Sequence, residues 1–335
     1  MIDFLNLSEK ERSEIFRITA MDIGVSDAII EKDFWVVLML DILFHHSRFG
    51  EHFGFKGGTS LSKVYNVIHR FSEDIDLVLD WRLLGYEKDE PWQQRSKTAQ
   101  RKFNDQANQR AAEWIKDELV PELQLKSQRL GIADLDLRIA VDDPQTIEVF
   151  YPRFHEDQSI LQVIRLEIGP LAAWTPCESQ EVFSYTAEHF PQLFEQPSTI
   201  IPTVAVNRTF WEKATILHKE ANRTNSRVPD RYSRHYYDLY EMSRTPIKDQ
   251  AFSDLQLLQQ VVSFKMKFYA DNSANYEEVL AGNLKLVPDE KQVNLLRNDY
   301  QKMQRMMFGV FPDFTEILDG LKELEHQFQK LSSLE

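Results

Sequence analysis

Residues 55–80 read FKGGTSLSKVYNVIHRFSEDIDLVLD, and the order of residue types in this stretch decides how the first half of the chain folds. Phe53 and Phe55 belong to a short strand, Gly57 and Gly58 break it, and Thr59 and Ser60 open an amphipathic helix predicted to run to about His69. A helix start leaves unpaired N–H groups and a positive dipole end, and two glycines let an anion approach the backbone with no Cβ in the way. Phosphate is the natural ligand of such a turn. Residues 75–79 then alternate as a strand does, and a period of two puts Asp74 and Asp76 on one face, with Asp80 further along it. Carboxylates so paired suit Mg²⁺, which takes one or two of them and completes its octahedron with water and substrate phosphates. Taken singly, a Gly-Gly pair is ordinary punctuation and an Asp-x-Asp is a solvated acidic face. The order strand, turn, helix, acidic strand is what brings both to one end of neighbouring strands.

Upstream, residues 26–44 carry a helical pattern that Ser26 and Asp27 can cap, with Ile30, Phe34, Val37 and Leu38 at three-to-four spacing. Glu31, Lys32 and Asp33 fall on its first turns, and the plain reading is a solvated helix start with acids complementing the dipole. His45, His46 and His52 fit no zinc spacing. Downstream, residues 81–102 are polar and aperiodic, a long mobile loop before a helix over 103–123. Arg95, Lys97, Arg101 and Lys102 make it basic enough to guide a polyanion or simply to stay soluble. Runs at 134–141, 146–151 and 160–168 extend the sheet. In the last of these Arg165 and Glu167 share a face, so the plain reading of Glu167 is a solvent-facing partner of Arg165.

Pro170, Pro176 and Pro191 mark a change of composition, and from Asn207 onward the chain is persistently helical. We expect a first domain over 1–205 and a helical domain over 206–335. A helix with the apolar stripe Phe210, Ala214, Leu217 and Ala221 carries Lys213 on its flank, where a lysine ordinarily lays its stem on the core and keeps its head in water. A polar turn with Arg223, Arg227 and Arg231 leads to a helix bearing Arg234, His235 and Asp238, and the simplest reading of Arg234 and Asp238 is an i,i+4 ion pair. Further helices are expected over 252–268, 276–283, 293–307 and 314–333. The fold class is α+β, a mixed α/β chain in which a mixed sheet is followed by helices.

With 335 residues and 42% hydrophobic content, the chain can bury a substantial core. No apolar run approaches the roughly 20 residues a membrane helix needs, and the charged N-terminus does not read as a signal peptide, so a cytoplasmic protein is expected. The single cysteine, Cys177, excludes an internal disulfide and a cysteine-based zinc cluster. A net charge of −14 argues against indiscriminate nucleic-acid binding, which depends on Lys and Arg neutralising phosphates, and would favour a basic protein partner.

GGTSLSK followed by RFSEDIDL resembles the AbiEii/AbiGii (MenT-like) nucleotidyltransferase toxins of the DNA polymerase beta-like nucleotidyltransferase superfamily. EKDFW at 31–35, FWEKATILH around Lys213 and RHYYDLYEM around Asp238 extend the resemblance over about three-quarters of the chain. It implies a polymerase beta-like nucleotidyltransferase core followed by a helical domain. It also implies Mg²⁺ on Asp74 and Asp76, and NTP phosphates at Gly57, Gly58, Thr59, Ser60 and Lys63. A third carboxylate on a later strand would be Glu167. Lys32 would have a structural or substrate-positioning role, Lys213 would contact the phosphates, and Asp238 would position Lys213 or the acceptor. The activity implied is transfer of NMP onto RNA, a tRNA 3′ end, by a toxin with a cognate antitoxin. Protein AMPylation or nucleotidylation of a small molecule would use the same core, and a non-catalytic nucleotide-binding module is the rival of another class.

Overall fold

The computed structural model describes residues 1–132, 134–158, 160–170, 177–223 and 228–332. The chain divides into two compact units, one of residues 1–65 and 71–204, the other of residues 66–70 and everything from Ala205 on. Among the described residues no helix is long and apolar enough to cross a membrane.

The first unit is built on a seven-stranded mixed sheet. Its strands are β1 (Phe53–Lys56), β2 (Ile75–Leu79), β3 (Asp136–Ile139), β4 (Thr146–Phe150), β5 (Ile164–Gly169), β6 (Cys177–Phe183) and β7 (Ser198–Val204), in the order β3-β4-β5-β2-β1-β7-β6. Pairs β2·β5 and β1·β7 are parallel and the other four antiparallel. This is the mixed sheet the sequence leads one to expect. Around it lie α1 (Glu9–Ile23), α2 (Asp27–Asp41), α3 (Gly57–Lys63), α4 (Lys97–Trp114), α5 (Val120–Arg129) and α6 (Tyr185–His189).

Helix α2 is buried along its whole length, with every residue between Ala28 and Leu40 inside. Glu31, Lys32 and Asp33 are therefore interior charges, and the solvated-start reading fails. A helix with no wet face must find partners for its charges within the protein.

Three other expectations are corrected. Helix α3 stops at Lys63, short of His69; Asn66 then takes a left-handed φ of 48° and the chain passes into the second unit. The loop after Asp80 is pinned. Asp80 caps a short 3-10 turn, Trp81–Leu84, by accepting the Arg82 N–H, and the Trp81 indole donates to the Lys88 carbonyl at 3.0 Å. Arg95 donates to the carbonyls of Glu90, Pro91 and Gln93 and lies 4.0 Å over the Phe103 ring, so α4 can start early, at Lys97, capped by Ser96. Finally, β6 and β7 were hidden in the proline-marked segment. β6 is an edge strand whose first residues are exposed, so it needs no apolar alternation, and Pro202 interrupts the pattern of β7.

The second unit contains α7 (Val206–Ala221), α8 (Arg234–Ser243), α9 (Pro246–Phe252), α10 (Leu255–Phe268), α11 (Tyr276–Leu280), α12 (Glu290–Met303) and α13 (Phe314–Ser332). Trp211 of α7 is fully buried, stacked on Phe252 at 5.9 Å and edge-on to Phe328 at 5.8 Å, which ties α7 to α9 and α13. The helix expected over 252–268 is α10, which starts at Leu255 because Asp254 caps it by accepting the Leu257 N–H, and the short α9 precedes it. Residues 66–70 join this unit through the Tyr237 hydroxyl, which accepts the His69 N–H at 3.1 Å, and the Phe308 N–H, which donates to the His69 carbonyl at 2.8 Å.

Candidate active site

In the first unit, β1 ends at Lys56 and the chain turns through Gly57 at φ +83°. An L side chain rarely adopts that conformation, and a Cβ there would stand 1.8 Å from Asp76 Oδ2. Glycine is thus required by the backbone and again by the carboxylate it faces. Sheet register places Lys56, Asp76 and Glu167 side by side across β1, β2 and β5. Directly opposed residues project from the same face, so Asp76 stands between a cation and a second carboxylate.

Asp74 immediately precedes β2, and its carbonyl accepts the Thr59 hydroxyl at 2.5 Å. Thr59 also lies 3.1 Å from the Ser72 hydroxyl, and Ser60 donates to the Gly57 carbonyl at 2.8 Å. Both residues are buried; Thr59 fastens the turn to the acidic strand, and Ser60 closes the turn on itself. What the turn offers an anion is therefore its first amides, which by helix geometry have no intrahelical acceptor.

Lys63 lies elsewhere. Its ammonium is 2.6 Å from Asp33 Oδ1 and 3.4 Å over the Tyr185 ring, inside the unit, where it makes an internal ion pair. Glu167 has a side chain 45% exposed, and Arg165 approaches it only to 3.8 Å while making closer pairs with Glu148 at 3.0 Å and Asp142 at 3.1 Å. The pairing expected for Glu167 is thus the loosest that Arg165 makes with these three acids.

Among the described residues no group of three or more His, Cys, Asp and Glu is arranged to hold an ion. The available donors fit a hard cation that needs only two carboxylates. Asp74 and Asp76 would supply oxygen ligands, and the missing Cβ of Gly57 lets the Asp76 carboxylate lie directly against the turn.

In the second unit, Lys213 of α7 and Asp238 of α8 come together as an ion pair, Nζ to Oδ2 at 2.7 Å. The pairing of Asp238 with Arg234 gives way to one the sequence did not signal. Arg70 grips Asp238 with two parallel bonds, Nε to Oδ1 at 2.8 Å and Nη2 to Oδ2 at 2.9 Å. All three side chains are buried. Burial pushes the Asp238 carboxyl up, but Arg70 and Lys213 outweigh it and hold the group well below the usual carboxylate range. Burial also lowers Lys213, with Arg70 adding to the effect and Asp238 opposing it. His235, whose Nδ1 lies 3.3 Å from Lys213 Nζ, is pushed far below its ordinary value by burial and then by Lys213, so it is neutral. Two basic side chains thus share one buried carboxylate.

Of the arginines near this cluster, Arg223 pairs with Glu220 at 3.2 Å and Arg231 takes a left-handed φ of 58°, its N–H donating to Asp299 at 2.7 Å. Arg227 lies outside the described residues.

Residues 41–325 match a family model described as "Nucleotidyl transferase AbiEii toxin, Type IV TA system". Among solved structures the chain is similar to MenT4, a nucleotidyltransferase toxin from Mycobacterium tuberculosis H37Rv, with 18% identity and a TM-score of 0.48 over 96% of this chain and 98% of that one. No curated protein matches the sequence. The family match spans most of the chain and includes the Gly57 turn, both aspartates, Lys213 and Asp238, so the chain belongs to the AbiEii nucleotidyltransferase toxins of type IV toxin–antitoxin systems.

Proposed function

We propose that this nucleotidyltransferase moves NMP from Mg²⁺-NTP onto a hydroxyl of RNA, with a tRNA 3′ end as the first candidate, and that it works in the cytoplasm against a cognate antitoxin. The observation that carries the nucleotide half of this reading is the approach of Gly57 to Asp76, which sets the carboxylate directly against the turn that opens α3, where any other residue would drive a methyl group into it. Asp74 and Asp76 are the residues that would hold the metal. When bound, it would neutralise triphosphate oxygens and orient them for in-line displacement.

The chain's own groups do the rest. The first amides of α3 hold phosphate oxygens. Glu167, beside Asp76, takes the proton from the acceptor hydroxyl. The acceptor oxygen then bonds to the α-phosphorus as the bond to the bridging oxygen of the β-phosphate breaks, and pyrophosphate leaves. Lys213 is assigned by family resemblance to neutralise leaving-group charge, with Asp238 setting its position. RNA as acceptor is supported by the same resemblance and by Arg223, Arg231 and Arg234 on an otherwise acidic chain.

The test is incubation of purified protein with each labelled NTP, Mg²⁺ and total cell RNA, beside Asp76→Ala and a sample with chelator. Label entering small RNA only with Asp76 and metal present supports the reading in full. Label on protein would replace RNA by an AMPylated target, and label on neither would leave a small-molecule acceptor.

A further inference from the structure

We propose that Lys32 and Asp33, acting through Glu73 and Lys63, are positioning residues of the transfer reaction that fix the acidic strand and the Gly-Gly helix to a single helix, α2. The proposal rests on reading Asp74, Asp76 and the Gly57 turn as the metal–nucleotide site. Lys32 and Asp33 themselves precede the span matched by the family model.

Consecutive residues on a helix point about 100° apart, so three adjacent charges on a fully buried helix reach three different places. Glu31 accepts the N–H groups of Phe154 at 2.8 Å and His155 at 2.9 Å. Lys32 donates to Glu73 Oε2 at 2.8 Å and to the Leu161 carbonyl at 2.7 Å, and that same Glu73 oxygen accepts the Leu161 N–H at 3.2 Å. Glu73 is the neighbour of Asp74, and Leu161 leads into β5, which carries Glu167. Asp33 pairs with Lys63 at 2.6 Å and accepts the Tyr185 N–H at 2.7 Å. Lys63 is the last residue of α3, whose first is Gly57.

Two buried ion pairs are poor devices for stability, since desolvation absorbs most of their attraction and apolar pairs of equal volume are often at least as stable. They do supply direction, because charge-assisted hydrogen bonds are short and oriented. Both arms spring from adjacent residues of one helix. The spacing between Asp74 and the Gly57 amides is therefore referenced to α2 from two sides, and a displacement of about 1 Å in such a site can cost about 100-fold in rate.

The experiment uses the full chain in two neutralised forms, Lys32→Met with Glu73→Gln and Asp33→Asn with Lys63→Met, beside Lys32→Arg and Asp76→Ala. Thermal unfolding establishes folding. Mn²⁺ binding is read by electron paramagnetic resonance, and binding of a non-hydrolysable NTP analogue by calorimetry. For the folded forms, the Lys32/Glu73 pair is expected to weaken Mn²⁺ about 10-fold, and the Asp33/Lys63 pair to weaken the analogue about 10-fold with Mn²⁺ unchanged, as supporting groups around metal sites usually do. Lys32→Arg keeps the charge but shifts the contact to Glu73, and should weaken Mn²⁺ by a smaller factor. Wild-type affinities in the folded neutralised forms overturn the proposal. Should those forms not fold, wild-type Mn²⁺ binding by Lys32→Arg overturns it. If Asp76→Ala itself binds Mn²⁺ normally, the reading of the metal site has failed instead.

Discussion

A methyl group added at Gly57 would meet Asp76 Oδ2 at 1.8 Å in a backbone conformation that already disfavours side chains. Gly57→Ala should therefore push the carboxylate aside, lowering transfer about 100-fold or more in a single-turnover assay and costing at least about 1 kcal/mol in denaturant unfolding. Asp238→Ala would take from Arg70 and Lys213 the buried carboxylate they share, and a loss of about 3–5 kcal/mol is expected by the same measurement. Glu31 gives a pH signature. Burial raises its carboxyl from 4.5 to about 7, the two N–H groups it accepts opposing that shift. The folded state then binds more protons than the unfolded chain between those two values. Its contribution is fully present below 4.5 and is lost as pH rises through 7, by up to about 3 kcal/mol. Thermal unfolding of the wild type at several pH values, compared with Glu31→Gln, checks this: the variant should show a flatter decline from pH 5 to 7.5. At this scale the acidic strand and the glycines were legible because their neighbours in sequence are their neighbours in space. Arg70 and Glu73 were not, since their partners lie 168 and 41 residues away and obey no period.

Among the elements, α2 shows how composition misleads when burial is complete. Three adjacent charges look like a wet helix start, yet each is answered by a group from another part of the first unit. Strands β1, β2 and β5 could be read from alternation, whereas β6 needed knowledge of its edge position and β7 tolerance of Pro202. The segment after Asp80 looked like a mobile loop because its order comes from side chain to backbone bonds rather than from a repeat. Arg95 closes three of them, and Arg95→Ala should open residues 85–96, seen as faster amide hydrogen exchange there with little change in the sheet.

For the molecule as a whole, a charge of −14 limits how the proposed RNA acceptor can be held. Only a few phosphates can be neutralised locally, so the salt dependence of RNA affinity should be shallow. Each of Arg223, Arg231 and Arg234 replaced by Gln should flatten the slope of log K against log salt by about 0.7, the increment for single strands. A slope already near zero in the wild type would argue for a protein or small-molecule acceptor. The helical character of the second half was plain from its periodicity, but nothing in sequence marked residues 66–70 as part of it.

That short excursion sets a schedule for biosynthesis. His69 and Arg70 leave the ribosome early, while Tyr237, Asp238 and Phe308, which receive them, are among the later residues made. A nascent chain lacking those helices leaves Arg70 without the carboxylate it grips and the backbone at His69 without its late partners. The second unit is completed only after Phe308 has been made, so the buried grip of Arg70 on Asp238 closes long after Arg70 itself has emerged.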